Sequence, residues 1–221
     1  MELKQALGNT WYLEDWQLIP LYRTDEHHCI LLDSGLYEQR QDIEDTLSAA
    51  GIVPIGILGS HAHNDHSSNH RYFQQKYHIP VALSLGEAGL CVSPESLKSH
   101  FFMVSVREFM ANQRVSHMMV RADRIIQPEE REIDFCGVRF GIRPTPGHSV
   151  DPIAVSTPDG VLYLGDALLS GEELAGARFP YHFRFETAIQ TMLELKQEQA
   201  NLFLCAHKGG YADLGDLPEQ N

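Results

Sequence analysis

The stretch GSHAHNDHSSNH, Gly59 to His70, follows directly on the apolar run IVPIGILGS. A short apolar run bounded by turn residues is the pattern of a buried strand. The chain must therefore fold so that a core strand empties into a crowd of imidazoles. A solvated loop has no need of them, and a core segment would not tolerate them unpaired. His61 and His63 are two apart, so their side chains share a face wherever the extended form persists. Asp65 and His66 follow in the turn. Imidazole with carboxylate suits zinc, iron or manganese, and the lack of a nearby thiolate argues against a cysteine-based structural zinc site. His61, His63, Asp65 and His66 are more donors than one open metal needs, which points to two metals.

The rest of the chain reads as alternating strands and helices. TWYLEDWQLIPLYR and HHCILLDSG are strand-like, and Asp33-Ser34-Gly35 ends the second as a turn. YEQRQDIEDTLSAAG predicts a helix with Ile43, Leu47 and Ala50 on one face and Gly51 as its stop. NHRYFQQKYH reads as a helix and IPVALS as a strand. Residues 86–128 are the least legible; SHFFMVSVREFMANQRVSHMMV, rich in Phe, Met and Val, predicts helix. REIDFCGVRFGIRPTPGHS predicts two strands about a turn near Gly137, and DPIAVSTPDGVLYLGDALL a hairpin turning at Asp159-Gly160. ETAIQTMLELKQEQA predicts a helix presenting Ile189, Met192 and Leu193, and NLFLCAHKGG a last strand entering a loop. The class is α/β, with strand pairs early and late.

Two metals need further ligands. His148 in TPGHS, Asp166 in YLGDAL and His207 in CAHKG each sit in a turn after a strand or beside a glycine. Ligands there are held by the sheet while their loops stay open. Taken alone, each would be an ordinary turn residue.

His-x-His-x-Asp-His, a Pro-Gly-His turn, a Gly-Asp turn and a late His, in that order, resemble the metallo-beta-lactamase superfamily, in its glyoxalase II-like or lactonase-like branch. The resemblance runs from the Asp33-Gly35 turn to His207. It implies a four-layer αβ/βα sandwich. It also implies one metal held by His61, His63 and His148, a second by Asp65, His66 and His207, and Asp166 bridging the two. Ser68 and Asn69 stand where many members have two glycines; Asn tolerates a left-handed backbone, so the turn can survive. Only fourteen residues follow His207, so neither the C-terminal helical domain of glyoxalase II enzymes nor the nuclease domain of RNA-processing members is expected. The longer spacing between His66 and His148 marks residues 86–128 as a helical insert.

The expected organisation is one domain over residues 1–221, since no Pro/Gly/Ser linker divides it. The net charge of −13, from 17 basic and 30 acidic residues, argues against a nucleic-acid partner, whose phosphates call for Lys and Arg. No apolar stretch reaches the length of a membrane span, and MELKQALGNTWYLEDW does not read as a secretory signal. Scattered cysteines (Cys29, Cys91, Cys136, Cys205) read as reduced core thiols of a cytoplasmic protein.

The expected function is a binuclear hydrolase that delivers a metal-bridged hydroxide to a small acyl substrate: a thioester, lactone or ester. The cofactors are two divalent ions, zinc first and iron or manganese as alternatives. Asp65 is the candidate catalytic residue, ligating a metal and steering the proton of the attacking water. A phosphodiesterase or a mononuclear-iron dioxygenase on the same fold are the alternatives. Tyr181, His182 and Arg184 fall where members line the pocket, and Lys208 is placed to meet an anionic substrate. Asp33 is read as either a support for a ligand His or a turn former. Phe101, Phe102, Met103, Val106, Phe109 and Met110 form a dense apolar group, with Phe102, Val106, Phe109 and Met110 on one helical face. That face is expected to cover the domain, the metal cleft or a second chain, the last making a homodimer. The other histidines, His27, His28, His70, His78 and His100, are read as surface or supporting residues.

Overall fold

A computed structural model describes residues 1–101, 105–176 and 181–221. Seven strands form the first sheet in chain order: β1 (Glu2–Leu7), β2 (Thr10–Glu14), β3 (Leu18–Arg23), β4 (His28–Leu32), β5 (Val53–Leu58), β6 (Val81–Ser84) and β7 (Arg124–Ile126). Six form the second: β8 (Glu132–Phe135), β9 (Val138–Pro144), β10 (Ile153–Ser156), β11 (Val161–Tyr163), β12 (Leu202–Cys205) and β13 (Gly209–Tyr211), ordered β13-β12-β11-β10-β9-β8. Strands β1 to β4 pair antiparallel and β4 to β7 parallel; β11 and β12 are the parallel pair of the second sheet. Parallel neighbours need a crossover. The helices Arg40–Ala49, His70–Tyr77 and Phe185–Leu195 supply three of them.

The period-2 alternation of the strands assigns the cores. Leu31, Ile57 and Leu83 point to one face of the first sheet, where they meet Ile43, Leu47 and Phe73 of its helices. Their neighbours Ile30, Leu32, Leu58 and Ala82 point to the other face and meet Phe140, Val155, Tyr163 and Leu204 of the second sheet. Leu162, Phe203 and Cys205 face outward again, against Ala188, Met192 and Leu195. Helix, sheet, sheet, helix: the architecture is the four-layer αβ/βα sandwich of the metallo-beta-lactamase fold. The two sheets are also joined by main chain, through Leu18 N–H to the Ala206 carbonyl (2.7 Å) and Ile153 N–H to the Ser60 carbonyl (3.0 Å). Both bonds lie where strands give way to the histidine-bearing loops.

Several expectations need correction. The helix Phe185–Leu195 buries Ala188, Thr191, Met192 and Leu195, while Ile189 and Leu193 face outward. Gly147 sets that rotation. At φ +135° it lies so close that an added Cβ would stand 2.4 Å from Ala188 Cα, so the helix must present Ala188 at this contact. Ala50 is exposed at the end of its helix. Of the expected helical insert, residues 86–128, the segments Leu85–Leu90, Pro94–His100, Val106–Ala111 and Gln113–His117 are helical, but Arg124–Ile126 is strand β7 of the first sheet. Of the proposed apolar face, Phe109 is buried but Val106 and Met110 are exposed, and Phe102 and Met103 lie outside the described residues. Asn69 has φ −105°, not a left-handed backbone. Its side-chain amide donates instead to the carbonyls of Ser34 (2.8 Å) and Leu36 (2.6 Å), stapling the Asp33 turn.

Candidate metal centre

Three imidazoles converge at the end of β5. His63 Nδ1 lies 3.1 Å from His61 Nε2 and 2.9 Å from His148 Nε2. Asp166 Oδ2 closes the group, 3.3 Å from His148 Nε2 and 4.0 Å from His61 Nε2. Beside it lies a second group. His66 Nε2 is 3.3 Å from Asp166 Oδ1 and 3.5 Å from Asp65 Oδ2, and His207 Nε2 is 3.4 Å from both Asp65 Oδ2 and Asp166 Oδ2. In each group the donor atoms all lie within 4.8 Å of one another, and Asp166 belongs to both. Tetrahedral metal–ligand bonds of about 2.0–2.1 Å set donors about 3.4 Å apart, so the spacing fits a metal in each group. Buried His66 Nε2 and Asp166 Oδ1 face each other at 3.3 Å without a well-aligned hydrogen bond, a defect that a bound cation would remove.

The sequence model of the metallo-beta-lactamase superfamily matches residues 18–207. The chain belongs to the metallo-beta-lactamase superfamily. No curated protein matches it, but solved structures do. The FEZ-1 metallo-beta-lactamase from Legionella gormanii superposes with a TM-score of 0.72 at 18% identity, over 93% of this chain and 79% of that one. A metallo-beta-lactamase family protein from Thermus thermophilus gives 0.72 at 19% identity, over 92% and 72%. The class B3 di-zinc metallo-beta-lactamase LRA-12, from an Alaskan soil metagenome, gives 0.69 at 14% identity, over 93% and 78%. At such identities the likeness is one of fold.

In this superfamily member the donors come from four loops: His61 to His66 after β5, His148 after β9, Asp166 after β11 and His207 after β12. Several donor histidines are oriented from behind. Asp33, at the end of β4 with φ +73°, accepts from His66 Nδ1 (2.8 Å), Ser60 Oγ (2.6 Å) and Tyr163 Oη (2.7 Å). It is a ligand support as well as a turn former. Ser60 Oγ lies 3.0 Å from His61 Nδ1, and His148 Nδ1 donates to the Tyr181 carbonyl (2.9 Å). Glu87 ties two of the loops together. Its buried carboxylate accepts from the Ala62 N–H (2.8 Å), between two ligands, and from Ser149 Oγ (3.0 Å) and the Asp151 N–H (2.8 Å), just after a third. Gln17 Nε2 donates to the Asp65 carbonyl (2.6 Å).

The two groups differ in protonation. Burial favours neutral imidazole at His61, His63 and His148 and lowers all three; neighbouring imidazoles reinforce the effect. Burial also opposes charge on His66, but Asp166, Asp65 and Asp33 outweigh it and hold its pKa well above the usual range. At His207 the same opposition loses to Asp166 and Asp65, and its pKa rises to about 9. Burial resists ionisation of Asp65 and Asp166, yet His66 first and His207 next keep both far below ordinary carboxyls. Neutral imidazole and ionised carboxylate are the forms that ligate, so cation binding at the second group would be coupled to proton release.

All seven expected ligands come together; the other candidates scatter. The Tyr181 ring lies 5.6 Å from that of His63 and 5.8 Å from that of His148, at the mouth. His182 lies 6.2 Å from His148. The Arg184 guanidinium turns away to the Val150 carbonyl (3.0 Å), and its N–H to the Gly147 carbonyl (2.9 Å), so it braces the His148 loop. Lys208 lines a separate cleft with Tyr12, Glu14 and Glu172. Two residues carried no local signal: Glu87, and Trp16, whose exposed ring lies 5.2 Å from that of His207; His100, read as a surface or supporting residue, is buried beside His63.

Proposed function

We propose that this chain is a binuclear metal-dependent hydrolase of small acyl substrates: a thioester, lactone or ester. The carrying observation is Asp166, whose two oxygens face two complete donor groups at once. Divalent cations bound there, zinc first among them, would supply an activated water and a Lewis acid for the substrate oxygen. The residues do the rest. Asp166 and Asp65 offset the cation charge, and Asp65, the most open carboxylate of the cluster, is placed to hold the proton of the attacking water. Phe101 and Tyr181 flank the His63 ring and give the first group an aromatic rim.

Next to Asn64, a cleft of about 200 Å³ has Phe101, Phe109, Val115 and Met118 on its apolar side and Glu108, Asn112 and Arg114 on its polar side, with room for a short acyl group. The second donor group speaks for two metals over the single iron of a dioxygenase. The four free cysteines, three of them buried, support a reducing, cytoplasmic setting. No helix among the described residues is long and apolar enough to cross a membrane.

The test is metal analysis of purified, fully loaded protein, then a panel of thioesters, lactones, esters, β-lactams and phosphodiesters on the same sample. Two metals per chain are expected, with at least one lost in Asp166→Ala. Asp65→Asn should cut turnover by about a hundredfold or more with the fold intact. One metal or none in wild type, or oxygen consumption with a thiol in place of any hydrolysis, would overturn the reading.

A further inference from the structure

Three of the donor imidazoles lean on an oxygen atom: His61 on Ser60 Oγ, His148 on the Tyr181 carbonyl and His66 on Asp33. His63 differs. Its Nδ1 faces the first group, and its Nε2 lies 2.9 Å from Nε2 of His100. Two imidazole nitrogens at that distance share one proton, and the geometry decides whose it is. Were His100 the donor, His63 would carry its own proton on Nδ1, between the Nε2 atoms of His61 and His148 and where a metal must sit. Ligation through Nδ1 therefore requires His63 to donate from Nε2 and His100 to accept.

We infer that His100 is a positioning residue that fixes His63 as the Nε2–H tautomer, so that Nδ1 is offered to the first metal. The inference rests on the reading that the first donor group holds a metal. The build of the segment agrees with it. His100 ends the helix Pro94–His100, which is capped by Ser93 Oγ accepting from the Ser96 N–H (3.1 Å) and anchored in the core by Leu97. Its ring is wedged between those of Phe101 (4.9 Å) and Phe183 (4.7 Å). As an acceptor at Nε2, it must carry its proton on Nδ1, which is buried with no hydrogen-bond partner. A buried N–H left without an acceptor is destabilising. A residue kept for packing alone would do better as Phe or Leu. The segment between β6 and β7 thus reaches back 37 positions to set the orientation of a ligand.

The experiment titrates zinc into metal-free wild type, His100→Phe and His100→Gln, with a competing chelator to resolve the two sites. Phe keeps the ring volume without an acceptor, while the Gln carbonyl restores one. Loss of such an outer support typically weakens a metal about tenfold to a hundredfold. His100→Phe should show that loss at one site only, with the second unchanged, and His100→Gln should recover most of it. Nitrogen-15 imidazole spectra of zinc-loaded wild type, which need no variant to fold, should show His63 protonated at Nε2 and His100 bare there. Equal affinities in wild type and His100→Phe, equal weakening at both sites, no recovery in His100→Gln, or a proton on His100 Nε2 would each overturn the inference. Wild type that binds no zinc at the first group would overturn the metal reading, and this inference with it.

Discussion

At the scale of single residues, the cluster is surrounded by polar groups that the interior tolerates only because most are answered. Outside the ligands, His70 is answered on one side only. It is fully buried, its Nδ1 lies 2.7 Å from Ser34 Oγ, and its Nε2 backs onto Gly59. Burial lowers its pKa to about 4 from an ordinary value of 6.5. Above pH 6.5 the ring is neutral in the folded and unfolded chain alike, and titration leaves stability unchanged. As the pH falls from 6.5 toward 4 the unfolded chain takes up a proton that the folded one refuses, and about 3 kcal/mol of stability is lost. Urea unfolding of metal-free protein at pH 7 and pH 4, in wild type and His70→Gln, checks this. The stability gap between them should narrow by about that amount at the lower pH; a gap independent of pH would refute it.

At the scale of elements, the ligand loops were legible, and so was Asp33 behind them, but the more distant supports were not. His61, His63, Asp65 and His66 share one turn, and His148, Asp166 and His207 announce themselves beside glycines. Such spacing is a local signal. His100 and Glu87 have none, because their partners lie 37 and 25 positions away and only the crossing of helices over the sheet brings them together. Helix faces failed for another reason. Ranking by hydrophobicity selects large residues, whereas Phe185–Leu195 is turned by the close pass of Ala188 over Gly147, which carries Met192 and Leu195 inward and Ile189 and Leu193 outward. Strand β1 escaped notice because, as an edge with charged Glu2 and Lys4 at its start, it shows no clean alternation. The helices between β6 and β7 carry the functional expectation of this scale. Phe109→Ala should widen the cleft beside Asn64 and favour longer acyl chains over acetyl by about tenfold in kcat/KM. Both metals should stay bound; an unchanged chain-length profile would remove the cleft from the substrate site.

For the whole molecule, the decisive fact is that neither sheet owns a donor group. His61, His63, Asp65 and His66 leave the first sheet, and His148, Asp166 and His207 leave the second. Cations bound there would act as rivets through the sandwich, and a rivet can be set only after both plates are in place. The site is then among the last things to form on the way to the native state and among the first to be lost on the way out. Ligands present at about a thousand times their dissociation constant stabilise a fold by about 4 kcal/mol. Contacts absent from the transition state express that gain in the unfolding rate. Stripping the metals should speed unfolding about a thousandfold and leave refolding nearly untouched, as followed by tryptophan fluorescence in urea jumps with and without chelator. If metal quickened refolding instead, the site would have to be assembled before the sheets dock. With the expected result, loaded protein would be long-lived even where its equilibrium margin is thin, and its working lifetime would be set by how tightly its surroundings hold zinc.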